Sequence, residues 1–341
     1  MSAVLKANGN IYSGWLKAEV TRSLKAVSGH FDIRFYDKWK NQESSWQLKT
    51  GDACSLELDG EQLIKGMVDT FNGNITSEAF SLSVTGRDLT GNLVDSGSLL
   101  HQKAFKGQSL KQMAEALASP FGVKISSLST AANTPIEVFT FQYNETIWEI
   151  INRLAHYQGV LAYPDANGGI IFSDVGKNII DSIDESRSLN IDIKSDSSQK
   201  FQKYIVVSHS GTPDHKVTTQ RAVAIDNTVT LPRTKIIILA KKTDTAGAQA
   251  RANWEMAMQI AKSFQANVTL EGWRNSKGNI WQINNLVTLN APSFNLNGNY
   301  LIEETKFIFS QEKGMTTELV LVLPDAYKPQ PDREVSGDVK L

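Results

Sequence analysis

The sequence predicts a mainly β, α+β protein in which two related antiparallel β-barrel domains are separated by a small α+β domain. Three observations support this prediction. A strand pattern near the start of the chain recurs near its end, the apolar spacing becomes helical at about residue 100, and turn-forming pairs separate the strands. The 341 residues exceed the length at which a single hydrophobic core suffices, so several domains are expected.

The repeated pattern begins with a strand that ends at a tryptophan and continues through a Trp-Gln-aliphatic step into further strands. That step is Trp46-Gln47-Leu48 in the first copy and Trp281-Gln282-Ile283 in the second. Alternating apolar residues place one face of each strand in a core. These residues include Phe31, Ile33, Phe35, Cys54, Leu56, Leu58, Leu82 and Val84 in one copy and Val268, Leu270, Leu286, Val287, Leu289, Leu319, Leu321 and Leu323 in the other. Residues 30–85 and 265–323 are therefore predicted to share one barrel topology.

Turn-forming pairs mark the predicted strand ends, because glycine supplies the positive φ that tight hairpin turns need. The pairs are Asp59-Gly60, Asn72-Gly73, Lys277-Gly278, Asn297-Gly298 and Lys313-Gly314. We assign residues 1–95 to the first β-barrel domain and residues 196–327 to the second. The second domain includes a predicted helix over 245–264, which is a candidate insertion.

The α+β domain is assigned to residues 96–195 because the apolar period there is helical. The apolar face of its first helix consists of Leu110, Met113, Ala114 and Leu117. A second helix is predicted over 145–158, with Asn144 as its N-cap and Gly159 just after its last turn. Two short strands follow, over 160–163 and 170–173.

Polar segments lie on both sides of the second barrel. Residues 175–200 are rich in aspartate and serine, and we interpret them as a surface connector. Strands are predicted again over 204–208, 221–229 and 235–239. Residues 328–341 form a proline-containing polar tail, which has too little apolar surface to fold alone and is either flexible or docked on a partner.

Composition excludes several classes of function. Lys and Arg number 35 and Asp and Glu number 36, so there is no basic excess for phosphate binding, and a sequence-reading nucleic-acid binder is not expected. The single cysteine, Cys54, cannot form an internal disulfide. The first residues show no signal-peptide pattern, and the longest aliphatic run, Ile236 to Ala240, is too short to span a bilayer. We expect folding and assembly in the cytoplasm, with no stable membrane insertion.

No cluster of reactive residues predicts catalysis, a cofactor or a metal. His209, Asp214 and His215 form the densest candidate group, but their Ser-Gly-Thr-Pro-Asp setting is typical of a polar hairpin tip. His30 and Asp32 lack a third metal ligand. Glu303 and Glu304 would point to opposite faces of a strand, Gly176-Lys177 lacks the glycine spacing of a phosphate loop, and no catalytic, cofactor-binding or metal residue is assigned.

The tryptophans leave one alternative open, a carbohydrate-binding or glycan-cleaving β protein. Exposed aromatic residues on a β-sandwich can form a sugar platform. Trp46 and Trp281 occupy equivalent places in the two repeats, which favours a shared role in the core. Trp148 and Trp254 lie on predicted helices and are more simply packing residues.

Several segments, in their order and spacing, resemble the baseplate hub proteins of Mu-like contractile-tailed phages and prophages. These segments are Trp46 to Asp52, Val84 to Thr90, Glu145 to Ala155 and Trp273 to Val287. A more distant similarity is to the hub domains of other myophage tails and of type VI secretion spikes. The resemblance extends to about Tyr327, and it rests on no single diagnostic motif.

The resemblance implies a structural virion protein of the tail baseplate and not an enzyme. It implies a homotrimeric ring in which two barrels per subunit give pseudo-six-fold symmetry. Such a ring would adapt the hexameric tail tube to the trimeric tail spike, contact other baseplate proteins and line the channel for DNA ejection. DNA would pass without sequence-specific binding, in keeping with a net charge of −1.

Overall fold

The computed structural model describes residues 3–37, 48–76, 80–98, 104–142, 144–211, 217–239, 243–312 and 314–331. Trp46, whose equivalence with Trp281 was predicted, lies outside these ranges, as do Asp214 and His215. The fold is mainly β with a small α+β part, as the sequence predicts.

The first barrel is built from strands that pair antiparallel in the order β3-β4-β7-β6-β5-β1-β2. They are β1 (Ala3–Ala7), β2 (Asn10–Tyr12), β3 (Lys17–Ser23), β4 (His30–Asp37), β5 (Ala53–Leu58), β6 (Glu61–Ile75) and β7 (Phe80–Asp88), followed by the helix α1 (Gly91–Asp95). Alternate residues face inward, as a two-residue period requires. Val20, Phe31, Ile33, Leu56 and Val84 are completely buried.

A compact α+β unit follows, with a separate apolar core around two helices. Its elements are β8 (Ala104–Ser109), α2 (Leu110–Ala118), β9 (Ile125–Ser127), β10 (Pro135–Thr140), α3 (Ile147–Gln158), β11 (Leu161–Pro164) and β12 (Ile170–Ser173). Strand β8 pairs with β10, while β12 pairs antiparallel with β11 and parallel with β9. Both predicted helices are present.

The predicted N-cap of α3 is wrong. Thr146, not Asn144, caps the helix: its hydroxyl accepts a hydrogen bond from the Glu149 backbone N–H at 3.2 Å. The Glu149 carboxylate accepts one from the Thr146 N–H at 2.8 Å, which completes a capping box. Glu145 instead binds Arg153 through two hydrogen bonds of 3.0 and 2.8 Å. Gly159 ends the helix with φ of 71°, as predicted.

The remaining chain forms a second barrel and a small inserted unit. The first strands of the barrel are β13 (Ile179–Asp184) and β14 (Ser188–Ser195). The inserted unit consists of β15 (Lys203–Gly211), β16 (Val217–Ile225), β17 (Thr234–Ile238) and the helix α4 (Thr245–Lys262). The barrel is completed by β18 (Phe264–Glu271), β19 (Leu286–Ala291), β20 (Leu296–Ser310) and β21 (Gly314–Val322).

The surface connector predicted over 175–200 is wrong, because β13 and β14 belong to the second barrel. β13 pairs parallel with β19, and β14 pairs antiparallel with β18. The half-buried Ile191 and Ile193 pack against the barrel core, whereas their many polar neighbours face outward. The high polarity of this segment therefore reflects an edge strand with one solvent-exposed face.

The inserted unit has its own small core, in which α4 covers one face of the sheet β16-β15-β17. Strands β15 and β17 run parallel, and β15 and β16 antiparallel. The helix predicted over 245–264 belongs to this unit and not to the barrel wall. Asp244 caps α4 by accepting a hydrogen bond from the Gly247 N–H at 2.8 Å.

The two barrels share one strand order, which confirms the predicted common topology over the described strands. The second barrel pairs in the order β14-β18-β21-β20-β19, and the first in the order β3-β4-β7-β6-β5, with antiparallel neighbours throughout. Their long strands β6 and β20 are each 15 residues. Each has a register shift beside an acidic residue, between Val68 and Thr70 in β6 and between Ile302 and Glu304 in β20.

Two predicted turns are wrong for the same reason. Asn72-Gly73 lies inside β6 and Asn297-Gly298 lies inside β20, where Gly298 pairs with Leu289. The chain turns instead at 292–295, before β20 begins. These strands are longer than a typical strand, and pairing overrides the short-range turn signals within them: Asn72-Gly73 pairs with β7, and Asn297-Gly298 pairs with β19.

Candidate assembly surface

The two barrels meet inside the subunit through antiparallel pairing of β3 with β20. This pairing uses the outer half of β20, Glu304 to Ser310, whose other side pairs with β21. Val20 lies opposite Phe307, and Ala18 lies opposite Phe309. Val20 and Phe307 are almost completely buried, so the joint has an apolar inner face and a continuous hydrogen-bonded backbone.

Ion pairs cover the outer face of this joint. The Glu19 carboxylate lies 2.6 Å from the Lys17 ammonium and 3.3 Å from that of Lys306. Partial burial of Glu19 opposes ionisation, but hydrogen bonds and charge from the two lysines hold its pKa below the usual value. We call the paired β3 and outer half of β20 the internal joint.

The residue at the β20 register shift, Glu303, is buried with specific partners. Its carboxylate accepts a hydrogen bond from the Tyr327 hydroxyl at 2.7 Å and lies 2.8 Å from the Lys25 ammonium. Burial, together with this hydrogen bond, raises the pKa of Tyr327. Since Trp254 also donates to the Lys328 carbonyl at 2.9 Å, the first residues of the predicted tail dock on the protein.

The α+β unit attaches to the first barrel through Arg22, whose charge also acts on the buried Asp88 of the same barrel. The Arg22 guanidinium donates to the Pro164 carbonyl at 2.7 Å. Asp88 is buried and accepts hydrogen bonds from the N–H groups of Gly29 at 2.7 Å and Thr90 at 3.0 Å. Burial raises the pKa of Asp88 to about 6, because the nearby hydrogen bonds and the Arg22 charge only partly offset desolvation.

Contact between the α+β unit and the second barrel is centred on Asn284. Its side-chain amide donates to Ser173 Oγ at 2.7 Å and to the Asp174 carbonyl at 3.0 Å, and its oxygen accepts from the Gly176 N–H at 2.8 Å. A Cβ at Gly176 would lie 1.8 Å from the Asn284 carbonyl oxygen, so this close approach requires glycine. An open polar cleft of about 530 Å³ lies here.

Several strand edges have no described strand against them, among them those of β14 and of the outer half of β6. β14 pairs with β18 on one side only, and the outer half of β6, from Thr70 to Ile75, pairs with β7 on one side only. Ile75 is 79% exposed, which is unusual for isoleucine in a strand. Unpaired N–H and C=O groups along such edges are ready to accept another strand.

The outer face of the inserted sheet is also apolar and exposed. Its exposed residues are Val223, Ile225, Ile236 and Ile238. Register places Val223, Ile205 and Ile236 side by side across the three strands. The opposite face is covered by α4.

The structure does not assemble the sequence-derived candidates into a reactive site. His209 lies in β15 opposite Thr219 in the pairing with β16, while the other two members of its group lie outside the described ranges. Asp32 pairs with Arg34 at 3.0 Å, and His30 is exposed. No group of three or more His, Cys, Asp or Glu side chains within the described ranges could hold a metal ion.

Family comparisons match successive parts of the chain. Residues 2–88 match the N-terminal domain of Mu phage baseplate assembly protein GpP-like proteins. Residues 90–174 match the second domain of baseplate hub protein gp44-like proteins. Residues 244–330 match the fourth domain of Mu phage baseplate assembly protein GpP.

Whole-chain relatives agree with these matches. Baseplate hub protein gp44 of Escherichia phage Mu is 28% identical over 334 residues, covering 94% of this chain and 87% of the relative. The 43 kDa tail protein of prophage MuSo2 from Shewanella oneidensis is 30% identical, with a TM-score of 0.85 and coverage of 96% and 100%. The chain belongs to the baseplate hub proteins of Mu-like phages and prophages. A tail protein from Neisseria meningitidis MC58 shares the hub fold, with 20% identity, a TM-score of 0.78 and coverage of 97% and 98%.

Family membership makes this hub protein a structural component of the phage tail baseplate and so of the virion, as the sequence resemblance implied. Its relatives are named as a baseplate hub protein and a tail protein and not as enzymes, which agrees with the prediction that the chain is not an enzyme. None of the helices in the described ranges is long and apolar enough to cross a membrane. Sequence reasoning missed the internal joint, because the pairing of strands about 290 residues apart leaves no local signal.

Proposed function

We propose that three copies of this hub protein close into a homotrimeric ring with pseudo-six-fold symmetry. The observation that carries the proposal is the shared strand order of the two barrels, which supplies two similar units per subunit. Three such subunits provide six quasi-equivalent units, and a head-to-tail contact that closes after three copies forms a ring and not a filament.

The ring would act as a symmetry adapter in the baseplate. Its six barrels would meet the hexameric tail tube and other baseplate proteins, and its three-fold repeat would meet the trimeric tail spike. The central opening would line the path of DNA. A net charge of −1 supports this role, since there is no excess of cationic side chains to retain passing phosphates.

The alternative of a sugar-binding tail protein receives no support from the described tryptophans. Trp15, Trp273 and Trp281 are buried, with at most 2% of each exposed. Trp148 and Trp254 are half-buried, and Trp254 is held by its hydrogen bond to Lys328. These five side chains offer no flat exposed aromatic surface of the kind that stacks on sugars.

The test is native mass measurement of the purified full chain at micromolar concentration, combined with electron-microscopic views along the particle axis. A trimer with six similar densities around an opening is the expected result. The proposed interface should bury more than roughly 2,000 Å² per contact, as obligate assemblies do. A monomer or two-fold dimer, with no ring in assembled tails either, would overturn the proposal.

A further inference from the structure

The strand orders of the two barrels provide a residue-by-residue map between them. Matching the register shifts places Val68 with Ile302, and the pairing with β7 and β21 then places Gly86 with Leu321. Continuing into β4 and β18 places Phe31 with Ala266. The outer half of β6 therefore corresponds to the outer half of β20, and β14 corresponds to β3.

In this map, edges that are paired within the subunit correspond to edges that are unpaired. In the internal joint, β3 of the first barrel and the outer half of β20 of the second barrel pair with each other. Their counterparts, β14 and the outer half of β6, each have an edge with no described strand against it. Under six-fold pseudo-symmetry, the contact between subunits repeats the contact within a subunit.

We infer that β14 of one subunit pairs antiparallel with the outer half of β6 of the next subunit, as a copy of the internal joint. This inference rests on the proposed ring and specifies its subunit contact. Transferring the internal register sets Ile193 opposite Gly73 and Ile191 opposite Ile75, where the internal joint has Val20 opposite Phe307 and Ala18 opposite Phe309. The sheet then continues from subunit to subunit around the ring.

The side chains at the transferred positions suit this contact. Ile191 and Ile193 are half-buried and lie on the core side of β14, and Ile75 is exposed in the isolated chain. Gly73 leaves room for Ile193. In the internal joint the larger residue, Phe307, is on β20, whereas in the inferred contact the larger residue, Ile193, is on β14. On the opposite face, Asp192 falls opposite Asn74, a polar pair where the internal joint has Glu19 opposite Ile308.

Cysteine cross-linking tests the register directly. A full-length chain with Ile191→Cys and Ile75→Cys should form, under mild oxidation, covalent dimers and trimers on a non-reducing gel, since paired strands bring Cα atoms to about 5 Å. The matched control combines Asp192→Cys with Ile75→Cys, whose side chains point to opposite faces of the sheet. The native Cys54 is buried and its pKa is raised to about 12, so it contributes little background.

Native mass of the same proteins separates the possible failures. A trimer that cross-links at least tenfold more through Ile191→Cys than through Asp192→Cys supports the inferred contact. A trimer without this preference overturns the contact and leaves the ring intact. A chain that stays monomeric at every concentration overturns the ring and the contact with it.

A second pair of variants tests the contact without cysteine chemistry. Ile75→Lys places a charge in the inferred apolar strip and should lower the trimer fraction at least tenfold at micromolar concentration. Leu128→Lys changes a residue of similar exposure, 75% against 79%, in the α+β unit and should leave the trimer unchanged. Equal trimer fractions for the two variants, with unaltered circular dichroism, would contradict the inference.

Discussion

At the scale of single residues, the duplicated barrels exchange large and small side chains across the same strand pair. Phe31 lies opposite Gly86 in the first barrel, and Ala266 lies opposite Leu321 at the corresponding place in the second. Each pair fills one layer of a core, because one large and one small residue together occupy the available volume. Corresponding positions of the two barrels therefore carry different residues, and the relation between the barrels is recognised from their strand pairing.

We predict that Gly86→Ala destabilises the protein by about 3 kcal/mol. A Cβ at this position would lie 2.3 Å from the Met67 carbonyl oxygen and 2.5 Å from the Phe31 ring. Gly97→Ala is the matched control, since the nearest heavy atom to its Cβ would be 3.9 Å away, and a change within about 0.5 kcal/mol is expected. Urea unfolding of both variants measures the difference, and similar midpoints would contradict the predicted clash.

The raised pKa of Asp88 leads us to predict a specific pH dependence of the free energy of unfolding. Its folded pKa of about 6 lies above the ordinary value of 3.8, so the folded state binds a proton more tightly than the unfolded state. The contribution of Asp88 to stability is thus complete below pH 3.8 and is lost as the pH rises through 6.

The measurement compares the free energy of unfolding of the natural chain and Asp88→Asn between about pH 4 and pH 7. Raising the pH should reduce the stability of the natural chain relative to the variant by on the order of 3 kcal/mol at most. Asparagine loses the hydrogen bond from Gly29, but that loss is the same at every pH. Two curves that stay parallel would show that Asp88 does not titrate in this range.

At the scale of elements, local capping decides where α3 begins. Thr146 and Glu149 have the spacing of a capping box, while Glu145 is used by Arg153, which also donates to the Thr140 carbonyl at 3.0 Å. Arg153 therefore ties α3 to β10 and to Glu145, which precedes the N-cap. Sequence reasoning chose Asn144 because asparagine is a good N-cap in general, without weighing the paired glutamate.

Thr146→Ala should lower the free energy of unfolding by about 1 kcal/mol, as loss of an N-cap hydrogen bond does. Thr130→Ala is the matched control, because Thr130 also precedes a short helix but makes no side-chain cap hydrogen bond. A change within about 0.5 kcal/mol is expected for the control. Chemical unfolding checks both, and equal losses would show that the capping box of α3 does not contribute.

At the scale of the whole molecule, both barrels share one apolar core, and one sheet continues through the internal joint. The two barrels are therefore expected to unfold together, whereas the α+β and inserted units have separate cores. In the proposed ring, assembly therefore stabilises the two barrels as one cooperative unit.

Thermal unfolding should accordingly depend on protein concentration. Assembly stabilises the folded state by mass action, so the midpoint should rise by several degrees between about 1 and 100 µM. Ile75→Lys should remove most of this dependence and Leu128→Lys should retain it. Scanning calorimetry at a series of concentrations makes the comparison, and a midpoint that is independent of concentration in the natural chain would contradict a ring of obligate subunits.

The sequence by itself determined the mainly β fold, the repeated barrels, the two helices of the α+β unit and the family. These conclusions depend on short-range periodicity and on the order of local motifs, both of which a single chain displays directly. It also favoured a core role for Trp281, which is 1% exposed.

Only the tertiary structure decided that β13 and β14 complete the second barrel, that Asn72-Gly73 and Asn297-Gly298 lie within strands, and that β3 joins β20. Each of these results depends on pairing between distant segments, which is set by backbone hydrogen bonds and shared burial and not by local residue type. The edges of β14 and of the outer half of β6 also become recognisable only in the tertiary structure, because an unpaired edge is defined by how the other strands pair.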